Sequence, residues 1–215
     1  MLSLPARVFL SRLLQITFAI GILLTLPACW VYSVEPLYEE HLAKPDPDLL
    51  MDQTLVGDWG RMQDNCLWTM TIGAEERSYT LTFAPAPDCN SEEKPSRYEA
   101  HLVKLGSQRY FDVFPQSDDV CGLCLPLHSF LLVSQQNDAL TLIPLNYDWM
   151  KKGFKEKRFT LPILKSPEGK TPETQGDQLI LRASSKQLKS FLRQHGANRL
   201  AFPPDSDDVI RYTRR

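Results

Sequence analysis

The chain reads as a mostly β protein, an antiparallel meander closed into a barrel or barrel-like sheet that carries one or two short helices. Three observations predict this. Large and small or polar residues alternate with period two in Leu67-Trp68-Thr69-Met70-Thr71-Ile72 and again in Tyr79-Thr80-Leu81-Thr82-Phe83. Strand-like segments recur at short intervals, and long stretches of helical periodicity are scarce. Rolling such a sheet into a barrel covers its apolar face and removes exposed edges.

The first element is an N-terminal apolar signal or anchor helix. An uncharged run extends from Leu13 to Val34, and the only charges ahead of it are Arg7 and Arg12. A basic flank, an apolar centre and a small-residue border define an export signal. Leu26-Pro27-Ala28-Cys29 resembles the lipobox of bacterial lipoproteins, in which the signal is cut before the cysteine and the thiol carries a lipid. Residues 1–28 are then signal peptide or membrane anchor, with Cys29 the lipidation site. The competing outcome is an uncleaved helix, since roughly twenty apolar residues span a bilayer. Either way, the positive flank leaves the C-terminal part outside the cytoplasm. Residues 29–53 are polar, acidic and proline-bearing around Pro45-Asp46-Pro47-Asp48 and are expected to form a tether. Residues 54–215 are long enough for one domain with one core.

Within that domain the polar stretch Gly73 to Arg77 joins the two alternating segments as a hairpin. Further strands are expected over 97–105, 108–114, 127–134, 139–145, 158–164, 178–183 and 209–213. A helix is expected from Asn146 to Gly153, with an Asn start, a Gly stop and lysines in its last turn. A second follows Ser184, whose spacing to Gln187 makes a capping box, with Gly196 as the stop. Residues 165–177, rich in Pro, Gly and charge, read as a loop.

Five cysteines are present, and removing Cys29 as a lipid carrier leaves Cys66, Cys89, Cys121 and Cys124. In an oxidising compartment four such cysteines are expected to pair. Cys66 and Cys89 flank the hairpin that brings its ends together, which favours their pairing and leaves Cys121 with Cys124. The Cys-x-x-Cys spacing also suits a thiol oxidoreductase, but a proline-led strand follows it where that chemistry wants a helix N-terminus. A zinc set of Cys121, Cys124 and His128 lacks a fourth ligand at a familiar spacing, so no metal and no cofactor is assigned.

Gly57-Asp58-Trp59 is a Gly-x-Trp opening a first strand. It is preceded by Cys29 and Glu35-Pro36-Leu37-Tyr38. Tyr98 to Gly106, Tyr110 to Val113, Pro126 to Phe130 and Leu142 to Trp149 come after it. This succession resembles a group of uncharacterised bacterial lipocalin-like lipoproteins. The resemblance implies an envelope-anchored barrel, on the periplasmic face of the outer membrane in a two-membrane organism, with its tryptophan closing one barrel end. The four extra cysteines and Pro27 depart from that pattern.

Candidate sites follow from the strand faces. An apolar ligand or lipid entering the barrel would meet Trp68, Met70, Tyr79 and Leu81, although a small barrel also uses such residues to fill itself. His101, Asp112 and His128 lie on separate strands and form a candidate polar cluster. There is no nucleophile elbow and no His-Glu-x-x-His, so no catalytic residue is assigned. Without Arg7 and Arg12 the balance is 22 basic residues against 26 acidic, which argues against nucleic acid. The expected partners are the membrane, a small apolar ligand and another envelope protein docking on the barrel exterior.

Overall fold

The computed structural model describes residues 30–39, 45–89, 94–116, 127–164 and 178–215. The expected signal or anchor at 1–28, Cys29, Cys121, Cys124 and the loop at 165–177 lie outside the described residues. Among those described, no helix is long and apolar enough to cross a membrane.

The alternating segments fold as strands. β3 (Gly57–Gln63), β4 (Cys66–Ala74), β5 (Tyr79–Pro85), β6 (Ser96–Leu105), β7 (Gln108–Pro115), β8 (His128–Gln136) and β9 (Ala139–Pro144) pair with their sequence neighbours, all antiparallel. β11 (Ile210–Arg214) then pairs with β9 on one edge and β3 on the other. Eight strands thereby close into an antiparallel barrel. Local chemistry supports the turns: Asp64 and Asn65, which join β3 to β4, both have positive φ, as a two-residue hairpin turn requires.

Period two places one set of side chains inside. Trp59, Met70, Ile72, Tyr79, Leu81, Leu102, Phe111, Leu140 and Leu142 form the interior core, and none is more than 1% exposed. The opposite faces of β6 to β9 supply a second core on the barrel exterior. There Val103, Tyr110, Phe130 and Ile143 lie under two helices, α1 (Tyr147–Lys155) and α2 (Ser185–His195). Asn146 caps α1 by accepting from the Trp149 N–H at 2.7 Å. The capping box of α2 is complete between Ser184 and Gln187.

Gly153 is not the stop that its position suggests, because α1 continues to Lys155. Its role is close approach: a Cβ there would fall 1.8 Å from the Phe159 ring. Residues 158–164 form no full strand either. They contribute a single bridge, Ile163 to Leu181, in a stretch where Pro162 has no N–H to donate and Phe159 turns back into the helix pair.

The segment expected to be a tether is built into the domain. β1 (Trp30–Ser33) pairs antiparallel with β8 at His128 and Ser129, and parallel with β10 (Gln178–Leu181). Ser129 also pairs with β7, so β1 lies on the other edge of β8, the edge β9 occupies from Leu131 onward. β1 thus fills the wall where β9 leaves it. β2 (Leu49–Leu50) does the same beside β6, next to the stretch that β5 occupies. The acidic residues of this segment are held by Lys189 of α2, whose ammonium lies 2.8 and 2.6 Å from the Asp46 carboxylate oxygens and 2.8 Å from Asp48. Arg193 adds a 2.8 Å bond to Asp48.

Candidate functional site

One end of the barrel is closed by the Gly-x-Trp. Trp59 donates its indole N–H to the Leu55 carbonyl at 2.8 Å, and the Arg214 guanidinium lies 4.2 Å from the ring centroid. Arg214 also donates to the carbonyls of Val56 (3.1 Å) and Thr54. Gly57 has φ of +128°, and any Cβ there would press on Arg214 at 3.0 Å. Both constraints explain why glycine stands two residues before the tryptophan. Tyr79 fastens the same end through its hydroxyl, which accepts from the Asp52 N–H at 2.6 Å.

Three places gather the candidate residues. In the lumen, Met70, Tyr79 and Leu81 share the interior core, while Trp68 stands apart, half-buried and further along β4. Met70, Tyr79 and Leu81 have no accessible surface. No void as large as a water molecule borders them, and the lumen at this level is filled by its own side chains. Two-residue alternation identified their shared face correctly; height along the barrel separates Trp68 from the rest.

The polar cluster forms on the exterior. His101 is paired with Asp112 across β6 and β7. Asp112, fully buried, lies 2.6 Å from His128 Nδ1 and accepts the Leu37 N–H at 2.5 Å. His101 reaches Glu99 instead, at 3.0 Å through Nε2, and the Tyr38 ring covers it with centroids 4.0 Å apart. His101 Nδ1 is buried without a partner. Ser33 stands opposite His128 in the β1–β8 register, but it is sealed from solvent and its Oγ accepts from the Glu35 N–H at 3.2 Å. A serine so enclosed has no room for a substrate, so the cluster acts as a clamp that binds residues 33–38 to the wall. Among the described residues, no three His, Cys, Asp or Glu side chains are grouped as a metal site.

The third place is a cleft of about 400 Å³ between the outer surface of β7 to β9 and residues 196–204, which sequence reasoning missed. Leu132, Ile143 and Phe202 give it apolar lining. Ser134, Gln135 and Asn198 are polar, and Arg109 and Arg199 bring positive charge. No acidic residue lines it, although Arg109 pairs with Asp52 at 2.5 Å and Arg199 with Asp205 at 3.1 Å. The nearby Tyr110 hydroxyl lies under Gly196, where it has no hydrogen-bond partner, and burial raises its pKa. The cleft is made by a return of the chain after α2, a tertiary juxtaposition with no local sequence signal.

Cys66 and Cys89 are disulfide-bonded, with Cα atoms 5.5 Å apart, as their flanking of the β4–β5 hairpin predicts. At a sequence separation of 23, the crosslink contributes roughly 3 kcal/mol in the chain-entropy model. The exposed large hydrophobics among the described residues are Met62 on β3 and Leu200 in the turn after α2. Compared with known proteins, the chain matches no family model, no curated protein and no solved structure.

Proposed function

We propose that this chain is an exported, membrane-attached, lipocalin-like protein that holds a small ligand in the exterior cleft instead of the lumen. The observation that carries this reading is the contrast between the lumen at Met70, Tyr79 and Leu81, where the side chains have no accessible surface, and an open cleft of about 400 Å³ on the barrel exterior. That volume falls in the range of small-molecule sites, and an apolar floor with a few polar groups is their usual lining. Arg109 and Arg199, each also paired with a carboxylate outside the lining, and the lack of an acidic lining residue favour an amphiphile with an anionic end. Export is supported by the basic flank and apolar run ahead of Cys29, and by a disulfide that persists only where thiols stay oxidised.

Binding of 1-anilinonaphthalene-8-sulfonate, an anionic aromatic of suitable size, tests the site. Ala197→Trp places an indole in the cleft from an exposed position and should weaken binding at least about tenfold, equivalent to ~1.4 kcal/mol. Leu81→Ala, in the interior core, should lower stability and leave affinity unchanged. The reverse pattern, with Leu81→Ala decisive and Ala197→Trp silent, would return the ligand to the lumen and overturn the proposal. Intact mass of the membrane-extracted chain checks lipid on Cys29.

A further inference from the structure

We infer that the basic segment 151–158 is a docking surface for anionic phospholipid headgroups, an inference that rests on the membrane-attached reading above. The segment Lys151-Lys152-Gly153-Phe154-Lys155-Glu156-Lys157-Arg158 holds five cations and one carboxylate in a chain whose formal net charge is −2. Lys152, Lys155, Lys157 and Arg158 are exposed, and Lys151 is held over the Tyr147 ring at 5.5 Å. Glu156 engages Arg158 at 2.7 Å and Lys152 at 3.9 Å, so the cluster keeps a large surplus of positive charge. Exposed lysines are ordinarily just solvated. What distinguishes these is their neighbour.

Helix α1, which carries Lys151, Lys152 and Lys155, packs against β1. β1 starts at Trp30, inside the same uncharged run that is expected to enter the membrane, and the run ends only at Val34. No spacer separates the attachment from the folded wall, so the barrel flank beside β1 is held close to the bilayer. Attraction to an anionic leaflet acts within about a Debye length, ~8–10 Å, and a longer tether would release the cations from it. A direct attachment keeps them in range.

The test uses the full chain mixed with vesicles of phosphatidylcholine alone or of phosphatidylcholine with phosphatidylglycerol. Flotation measures attachment, and mass spectrometry follows the acetylation rate of individual lysines. Lys152, Lys155 and Lys157 should react about fivefold more slowly on the anionic vesicles, the factor that matches roughly 1 kcal/mol per charge. High salt should restore the rate. Lys104 and Lys186, exposed on β6 and at the start of α2, should be unaffected. Flotation with both vesicles but equal lysine rates would overturn the docking surface and leave attachment standing. Failure to float with either would overturn both. Slowing of Lys104 and Lys186 to the same extent would also overturn it, since protection would not be local to 151–158.

Discussion

Replacing Lys189 with methionine removes the ammonium that contacts Asp46 and leaves the rest of α2 in place. Asp46 is 3% exposed and Lys189 6%, so the variant strands a carboxylate in a site where water cannot replace the lost partner. Removing one member of such a buried pair costs about 3–5 kcal/mol. The carboxyl also accepts the N–H groups of Glu39 (2.8 Å) and Asp48 (3.0 Å), which hold part of its charge and point to the lower end of that range. Burial alone would raise the Asp46 pKa, but the Lys189 bond and the two N–H groups outweigh it and hold the carboxyl below its ordinary value of 3.8. In the native chain this group therefore contributes stability that is present above about pH 4 and lost as the pH falls through the lower folded value. In Lys189→Met burial dominates, the carboxyl takes up a proton more readily, and the deficit shrinks on acidification from neutral pH. Urea unfolding followed by tryptophan fluorescence, at neutral pH and near pH 5, measures both effects. The double variant Asp46→Asn with Lys189→Met should recover most of the loss, because a neutral pair leaves no buried charge. A neutral-pH deficit below about 1 kcal/mol, or one that does not change with pH, would refute the claim that this pair anchors residues 45–48.

Gly153→Ala should destabilise despite a helix-propensity gain of about 1 kcal/mol, because the new methyl meets a Phe159 ring already wedged against Trp149 and Phe191; a urea midpoint at or above the native one would contradict that packing. His195 stacks on Trp149, Phe159 and Phe191, and burial, aided by nearby Arg158, lowers its pKa from 6.5. Folding therefore favours the neutral ring: the stability it supports is full above about pH 6.5 and declines as the pH drops toward the folded value. His195→Gln should flatten that decline in unfolding curves taken between about pH 7 and 5.5, and an unchanged slope would assign the decline to other groups.

The elements set by nearest neighbours were legible. Alternation located β4 and β5, Asn146 and Ser184 marked both helix starts, and Cys66 with Cys89 followed from the hairpin between them. What failed was pairing across long separations. Residues 30–33, which read as the end of the apolar run, and the two-residue 49–50 become strands because β8, β10 and β6 offer them free edges. Asp46 reads as part of a polar tether until Lys189, 143 residues away, arrives beside it. The candidate site was divided in the same way. The strand faces identified Met70, Tyr79 and Leu81 as neighbours, but the degree of filling depends on every opposite wall. Asp112 meets His128 because β7 and β8 are adjacent, whereas His101 turns to Glu99 on its own strand. The cleft depends on the path of residues 196–204, which no periodicity records.

Closure by β11 has a temporal corollary for folding. β3 is made early, yet its second partner spans Ile210–Arg214, so the barrel remains an open sheet until that late strand is available. Throughout that interval β3 and β9 both present unsatisfied edges, and Trp59 lacks the Arg214 cation that covers it. Folding thus passes through a window of stickiness that lasts until residues 210–214 dock, and removing that strand would leave the window permanently open.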